Sequence, residues 1–413
     1  MASSEAAAAA PQAHEVVVLG GNFAGIQVTH YLLRRIFPRL ERLKGSGAYH
    51  IYLVSPNSHY FFKIAAPRAL TKPEVIKKIF KPIDQALGKY GQSCDFIRGK
   101  AISLNPMAKT VTICTVPNAT HRVLRYDSLF ICTGTTTASP LWTLHDDHLT
   151  TRAEFTEMHM RLPQTNTLLI AGGGPVGVET AGEIAAAYPT MNITLVAGGD
   201  VLPNLPESVR TKAKSRLREA GDASTSATGT EVTLSDWTQM TVDTFIDCRG
   251  ATRINSEYLP AVWLDSRGRV FTRDKYLRVR GDNSAPADGV YAVGDIVSGS
   301  ANTALELDAM VFTAGSSFGY DISTQLGFKP KPVTTNSGVL QKNAESLRNT
   351  TTVPIGPNDG VGLLLGLPLP SLAVKMIKGK SFMTTRVEPI VTGAQYLKKR
   401  QKLVRGIRRI FKM

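Results

Sequence analysis

Two glycine-rich turns constrain this chain more than any other feature. The first lies in segment 16–25, VVVLGGNFAG, and the second in segment 168–177, LLIAGGGPVG. In each, an apolar run typical of a buried strand leads into glycines and then into a helical pattern. A glycine turn in that setting is typical of a site that cradles the pyrophosphate of a dinucleotide. Two such turns predict two dinucleotide sites in one chain.

The second turn fits the pattern G-x-G-x-x-G in full. Gly172 allows the tight turn, Gly174 lets the backbone approach phosphate, and Gly177 lets the helix pack closely on the strand. The N-terminus of the following helix adds the positive end of a dipole. This turn is predicted to bind a dinucleotide.

The first turn departs from the pattern at its middle position. In the same frame it contains Gly20, Asn22 and Gly25, so that a side chain stands where phosphate approaches. Asparagine tolerates unusual backbone angles better than most residues, and Gly21 lets the turn shift. We predict dinucleotide binding here, weakened by the Asn22 side chain.

Neither unit has an acidic residue at the end of its second strand, where a carboxylate commonly binds the ribose hydroxyls. Ser55 occupies this place in the first unit and can still bond a ribose. Ala197, with Gly198 next to it, occupies it in the second unit and cannot. No arginine adjoins Ala197 in the sequence, so the choice between NADH and NADPH stays open.

The order of these patterns predicts an α/β fold with two Rossmann-like dinucleotide-binding domains, one inserted in the other, plus a small C-terminal domain. The predicted ranges are a disordered N-terminus at 1–14, a first domain at 15–150 and 271–325, an inserted domain at 151–270, a C-terminal domain at 326–396 and a basic tail at 397–413.

Composition excludes several classes of protein. The four cysteines of the 413 residues form no CxxC pair, which argues against a disulfide scaffold, a redox dithiol and a metal site. The net charge of +15 is concentrated in the tail, so it does not predict a nucleic-acid partner. No secretory signal or apolar span is present, which favours a cytoplasmic location.

The tail has the pattern of a basic amphipathic helix. Leu403, Ile407, Ile410 and Phe411 fall on one helical face, among arginines and lysines. Such a helix can lie on an anionic membrane surface. Peripheral contact with an intracellular membrane and a solvated terminus are the two interpretations of this pattern.

Three further segments carry a resemblance to a known family. They are the strand end Thr133-Gly134, the turn Gly294-Asp295, and segment 355–362, IGPNDGVG, followed by 378–382. Together with the two turns, they resemble the two-dinucleotide flavoproteins of the pyridine nucleotide–disulfide oxidoreductase superfamily. The chain is most similar to the apoptosis-inducing-factor-like group, which includes ferroptosis suppressor protein and is related to type II NADH dehydrogenases.

The resemblance implies where the cofactors bind. FAD binding is implied for Gly20, Gly21, Asn22, Gly25, Ser55, Gly134 and Asp295. NAD(P)H binding is implied for Gly172, Gly174 and Gly177. Asp295 would bond the ribityl chain, and the helix beginning near Thr303 would point its N-terminus at the flavin pyrimidine.

The resemblance also implies catalytic positions. Glu179 matches the acidic residue that lies where the nicotinamide meets the flavin, and Lys63 is a hypothetical ion-pair partner for it. The alternative for Lys63 is a solvated loop lysine. The segment 59–62, HYFF, either walls an acceptor site or packs in the core.

The predicted function is an FAD-dependent NAD(P)H oxidoreductase. Segment 57–70 lacks the cysteine pair of dithiol-reducing relatives, so electrons would pass directly to a quinone-like or other small acceptor. The inserted domain looks about twenty residues short near 222–230, where relatives have a further strand, and its sheet edge would be exposed. Two alternatives therefore stay open: a flavin-dependent oxidase or tailoring enzyme reduced by an organic substrate, and a flavoprotein that binds membrane or nucleic acid.

Overall fold

The computed structural model describes residues 13–145, 147–218, 230–233, 239–330 and 349–397. The N-terminus that was predicted to be disordered lies outside these residues as far as residue 12, whereas His14 begins the first strand. Nearly all of the shortened segment 222–230 and of the amphipathic tail also lies outside them.

A seven-stranded sheet forms the first domain, in the order β16-β8-β1-β2-β5-β6-β7. Its strands are β1 (His14–Leu19), β2 (Tyr49–Ser55), β5 (Cys94–Asn105), β6 (Thr110–Thr115), β7 (His121–Arg125), β8 (Ser128–Ile131) and β16 (Val290–Ala292). Strand β1 pairs in parallel with β2 and β8, and its apolar residues 16–19 are buried. A continuous apolar run suits such a strand because both faces of a parallel sheet are covered.

Eleven α-helices of at least four residues are described around the sheets. They are α1 (Phe23–Tyr31), α2 (Phe37–Leu40), α3 (Ala66–Thr71), α4 (Ile76–Ile79), α5 (Ile83–Leu87), α6 (His148–Arg161), α7 (Pro175–Ala187), α8 (Glu207–Arg218), α9 (Ala304–Gln325), α10 (Ser371–Val374) and α11 (Val387–Val391). A π-helical turn, Leu32–Ile36, joins α1 to α2. The helices that follow the two glycine turns are α1 and α7, as the sequence predicts.

The inserted domain is built on a small parallel sheet. It contains β11 (Asn192–Val196), β10 (Thr167–Ala171) and β14 (Thr244–Asp247), in that order. Two antiparallel pairs adjoin it: β12 (Thr230–Thr233) with β13 (Gln239–Val242), and β9 (Thr135–Thr137) with β15 (Ala251–Ile254). Among the described residues, no strand pairs with the outer edge of β11.

The C-terminal domain is a three-stranded antiparallel sheet of β17 (Thr351–Ile355), β18 (Asp359–Leu364) and β19 (Leu367–Pro368). It packs on α7, where a side chain at Gly182 would collide with the backbone at Gly356. A short pair of strands, β3 (His59–Phe61) and β4 (Phe80–Pro82), completes the first domain. Because β16 returns the chain to the first sheet after the insert, the predicted fold class is confirmed.

Candidate functional site

The first glycine turn is forced by its neighbours. Gly20 has a φ of +104°, and a Cβ there would collide with the carbonyl oxygen of Cys132 at the end of β8. A Cβ at Gly25 would collide with the oxygen of Gly20, so α1 can approach β1 only with glycine in its first turn. A Cβ at Gly21 would lie 2.7 Å from that of Ser55. The turn therefore lies directly against the end of β2.

The second turn repeats these contacts. Gly172 has a φ of +127° and lies against the carbonyl oxygen of Cys248, and Gly177 lies against Gly172. Gly173 contacts Ala197, just as Gly21 contacts Ser55. By contrast, no heavy atom lies within 4 Å of a Cβ placed at Gly174. The open space is therefore at the position where the sequence predicts that a pyrophosphate approaches.

Asn22 occupies the corresponding middle position of the first turn. Its φ of −91° is outside the left-handed region, so the residue needs no glycine-like freedom. Its side-chain Oδ1 accepts a hydrogen bond from the Phe61 N–H at 3.1 Å. The Asn22 side chain is thus tied to β3, which limits how far it crowds the turn.

A cavity of about 660 Å³ opens in front of the first turn. It brings together all but one of the residues predicted to bind FAD: Gly20, Gly21, Asn22, Ser55, Gly134 and Asp295. Gly25 is the exception, since it packs beneath the turn. The cavity lies in the size range of cofactor sites. Its glycine turn, in which Gly20 and Gly21 pack against Cys132 and Ser55, leaves the space in front of it free for a dinucleotide.

The N-terminus of α9 faces this cavity. Thr303 and Ala304 line it, and Thr303 Oγ1 caps the helix by accepting from the Glu306 N–H at 3.1 Å. The positive end of the α9 dipole is therefore directed at whatever occupies the cavity.

Lys63 also lines the cavity, but its partner is not the one predicted. Its Nζ donates to Asp295 Oδ2 at 3.2 Å, and Asp295 is the residue predicted to bind the ribityl chain. The proposed pair of Lys63 with Glu179 is therefore wrong. Because β3 and the Gly294 turn meet at one edge of the cavity, Lys63 is committed to Asp295 instead.

Glu179 forms a buried ion pair with Lys378 of the C-terminal domain. Glu179 lies in the second turn of α7 and is 3% exposed. Burial raises the pKa of Glu179 to about 7, and the Lys378 ammonium opposes that rise. This carboxyl group is therefore placed to exchange a proton near neutral pH.

A second buried ion pair lies one turn further along α7. Glu183 accepts two hydrogen bonds from Arg68 of α3, one of them at 2.9 Å to Arg68 Nη2. Arg68 Nη2 also donates to the Gly379 carbonyl at 2.8 Å. The ring of Phe382 lies 4.7 Å from the Arg68 guanidinium and 5.6 Å from the Lys378 ammonium. Helix α7 is thus joined to both the first domain and the C-terminal domain.

The aromatic residues of segment 59–62 do not wall an acceptor site. Tyr60, Phe61 and Phe62 are completely buried and pack in the core, for example Phe61 against Phe80 with ring centroids 4.7 Å apart. His59 alone lines the cavity, and its ring stacks on His148 at 3.7 Å. The core-packing interpretation therefore holds for the three aromatic residues.

The described residues were also compared with the requirements of a membrane-spanning helix and of a metal site. No helix among them is both long enough and apolar enough to cross a membrane. None of their His, Cys, Asp and Glu side chains form a group of three placed to hold a metal ion.

The chain is similar to known oxidoreductases. The sequence profile of the pyridine nucleotide-disulphide oxidoreductases matches residues 14–307. The oxidoreductase phnG of Penicillium herquei is 30% identical, over 95% of this chain and 99% of its own. Ferroptosis suppressor protein 1 of Taeniopygia guttata is 24% identical, over 90% of this chain and 94% of its own.

The fold is also found in a solved structure. The sulfide:quinone oxidoreductase of Aquifex aeolicus matches with a TM-score of 0.64 at 14% identity, over 92% of each chain. The resemblance that the two glycine turns predict is confirmed by these matches.

Proposed function

The chain belongs to the pyridine nucleotide-disulphide oxidoreductase family, and on that premise we propose that it passes electrons from NAD(P)H to a quinone-like or other small acceptor. It is an FAD-dependent oxidoreductase with NAD(P)H as co-substrate. The observation that supports the proposal most is the repeated glycine cradle, once at the 660 Å³ cavity and once at the open space beside Gly174.

The cavity residues would hold FAD. Gly20 and Gly21 would present the backbone to its pyrophosphate, Ser55 would lie near the adenosine ribose, and Asp295 would accept from the ribityl hydroxyls. Lys63 is paired with Asp295 and would add a cation to the site. When bound, the flavin accepts two electrons from the nicotinamide and passes them on.

Glu179 and Lys378 would act where the two cofactors meet. With its pKa near 7, Glu179 can hold or release one proton as the charge of the reacting groups changes. Lys378 stabilises the ionised form of Glu179, and the Arg68–Glu183 pair fixes the backbone at Gly379, next to Lys378. In this proposal, Lys378 replaces Lys63 as the partner of Glu179.

Electrons would leave the flavin without passing through a thiol. Burial raises the pKa of Cys94 and Cys248 to about 12, and it raises the pKa of Cys132 further, so none of these three is a thiolate at neutral pH. Segment 57–70 contains no cysteine. A direct transfer to a small acceptor is consistent with this, and the protein of similar fold from Aquifex aeolicus is a sulfide:quinone oxidoreductase.

A lipid-soluble acceptor would suit peripheral contact with a membrane through the basic tail. We keep that contact as part of the proposal. Flotation of the full chain with vesicles of anionic lipid, with and without residues 397–413, tests it. Equal flotation of the two proteins would exclude a membrane role for the tail.

A second candidate function has one specific observation in its favour. The inserted sheet has an unpaired edge at β11 among the described residues, beside the second glycine turn. A nucleotide domain of reduced size suits a tailoring oxidase whose organic substrate, rather than NAD(P)H, reduces the flavin.

One experiment separates these functions. The purified protein is inspected for a flavin spectrum and then mixed with NADH or NADPH without oxygen. Prompt bleaching by either nucleotide supports the proposed function, and bleaching should be lost in Gly174→Ala, whose Cβ has no described neighbour within 4 Å apart from the adjacent residues. A yellow protein that neither nucleotide bleaches indicates the tailoring enzyme, and a colourless protein that takes up no FAD contradicts both.

A further inference from the structure

We propose that Arg210 and Lys214 form a binding site for the 2′-phosphate of NADPH, so that this chain prefers NADPH to NADH. The inference rests on the proposed function and deepens it, since it names the electron donor. The adjacent sequence of Ala197 contains no arginine, but α8 brings both cations to this place in space.

The position of the site follows from the second glycine turn. In a Rossmann unit, the adenosine ribose lies at the end of the second strand, which is here the end of β11 at Val196. The next residues fold back on the turn: Leu202 N–H donates to the Gly173 carbonyl at 2.7 Å, and the Asp200 carbonyl oxygen lies 3.4 Å from a Cβ placed at Gly173. Asp200 is thus beside the predicted pyrophosphate site.

Two cations converge on Asp200 from α8. Arg210 and Lys214 are four residues apart, so they share one face of the helix, and both form ion pairs with the Asp200 carboxylate. Asp200 also accepts from the Val201 N–H at 3.0 Å. One carboxylate against two cations leaves a net positive charge at this place.

The cations retain capacity for a further anion. Arg210 Nε is buried and has no acceptor among the described residues. The Arg210 and Lys214 side chains as a whole are 23% and 41% exposed, so solvent and ligand can reach their exposed atoms, although not the buried Nε of Arg210. A phosphate group supplies several acceptor oxygens, and arginine with phosphate is a strong, charge-assisted pair.

Ala197, the residue at the end of β11, does not oppose the binding of a 2′-phosphate. A carboxylate at this position binds the ribose 2′-hydroxyl of NADH and repels a 2′-phosphate. Ala197 stands there instead, with only its methyl group against Gly173. The acid nearest to the turn, Asp200, is already neutralised by its two partners. Both the charge and the space therefore favour the phosphorylated nucleotide.

Helix α8 also supplies a matched control. Lys212 lies two residues from each member of the pair, and with Arg216 it faces Asp359 of the C-terminal domain, to which Arg216 is bonded at 2.7 Å. Replacing Lys212 changes the net charge of the helix by the same amount as replacing Lys214. Of these two lysines, Lys214 is the one that forms an ion pair with Asp200.

Binding of ligands to the FAD-loaded protein, measured by titration calorimetry, tests the proposal. We expect NADP⁺ to bind at least about tenfold more tightly than NAD⁺, and 2′,5′-ADP to bind more tightly than 5′-AMP, because a charge-assisted phosphate contact is worth that factor or more. The double variant Arg210→Met/Lys214→Met should lose both preferences, whereas Lys212→Met should keep them. Circular dichroism checks that each variant is folded.

Several outcomes would overturn the proposal. Equal affinity for the two nucleotides, or tighter binding of NAD⁺, would mean that Asp200 is itself a ribose ligand for NADH. If Lys212→Met and Lys214→Met lowered the preference for NADP⁺ by the same factor, the preference would come from the overall charge of α8 and not from a binding site at Asp200. If NADH bleaches the flavin as readily as NADPH, only this inference fails. If neither nucleotide binds, the proposed function fails with it.

Discussion

Replacing Lys378 by Met should destabilise the protein in a way that depends on pH. The variant leaves Glu179 buried in α7 without its counter-charge. Burial raises the pKa of Glu179 to about 7, and Lys378 is the largest influence that lowers it, so the pKa must rise further when Lys378 is removed. A carboxyl group whose pKa is higher in the folded state stabilises that state at low pH, and this contribution is lost as the pH rises through the folded pKa.

The size of the effect follows from this pKa. At pH 6, Glu179 is mostly protonated in both proteins, so they differ only by the lost packing of the Lys378 side chain. Above pH 7, Glu179 of the parent is ionised, and its contribution to the free energy of unfolding no longer changes with pH. In the variant, the free energy of unfolding continues to fall by about 1.4 kcal/mol for each pH unit until the pH reaches the higher pKa of Glu179 in that protein. At pH 9 the additional loss in the free energy of unfolding is therefore at most about 2.7 kcal/mol, which is reached when the pKa of Glu179 in the variant is 9 or higher.

Urea denaturation followed by circular dichroism at pH 6 and pH 9 measures this difference. Lys380→Met is the matched control, because Lys380 is exposed and two residues away, and it should show the same small effect at both pH values. The double variant Glu179→Gln/Lys378→Met removes the titrating group and should lose the added pH dependence. A penalty for Lys378→Met that is constant from pH 6 to pH 9 would refute the reasoning.

Three more predictions test separate parts of the structure. Gly174→Ala should keep its free energy of unfolding within about 0.5 kcal/mol of the parent and bind NAD(P)H at least about tenfold more weakly. Gly177→Ala should unfold at a lower urea concentration, because its Cβ collides with the turn. Calorimetry measures the binding, and urea denaturation measures the stability. Burial lowers the pKa of His30 to about 3, so the free energy of unfolding should fall as the pH drops below about 6.5. His30→Gln should reduce this acid sensitivity, and at neutral pH it should cost about 1–3 kcal/mol because hydrogen bonds of His30 are lost. Lys63→Met should weaken FAD binding, measured by the quenching of flavin fluorescence, and leave the rate of reduction by NAD(P)H per bound flavin unchanged; a slower rate with unchanged affinity would restore Lys63 to a catalytic role.

The glycine turns could be predicted from sequence because their geometry is local. Gly20 and Gly172 adopt positive φ angles against the carbonyl group at the end of a neighbouring strand, and no other residue type does so without strain. The strand, the turn and the helix are adjacent in the chain, so one pattern of about ten residues specifies them. Ser55, predicted from its place at the end of β2, and Asp295, implied by the family resemblance, both line the cavity.

The partners of the charged residues could not be predicted in this way. Lys378 is 199 residues from Glu179, and Lys63 is 232 residues from Asp295. Such contacts depend on how the C-terminal domain docks on α7 and on how β3 approaches the Gly294 turn. The family layout placed Lys63 near the flavin, which agrees with its position in the cavity, but it contained no information about which carboxylate Lys63 reaches.

The sequence left the burial of the aromatic residues open as one of two interpretations, and it gave no indication of the proposed 2′-phosphate site. The sequence rule for the ribose site considers only residues next to the end of the second strand, and Arg210 is thirteen residues from Ala197. Arg210 approaches this place because α8 folds back so that Arg210 pairs with Asp200. The segment Tyr60–Phe62 is apolar on every residue, so it has no periodicity that separates a buried from an exposed face.

The two ion pairs on α7 have a consequence for movement between the domains. A hinge motion that swings the inserted domain away from the first would pull Glu183 from Arg68, and each separated charge would remain in a buried environment. The Trp142 indole, which donates to the Asp247 carbonyl at 2.6 Å, adds a second tie across that boundary. The Glu179–Lys378 pair joins α7 to the C-terminal domain, so separating those two domains would also leave buried charges unpaired. We therefore expect the domains to turn over substrate as one rigid body, with entry and exit governed by side chains at the cavity mouth rather than by domain closure.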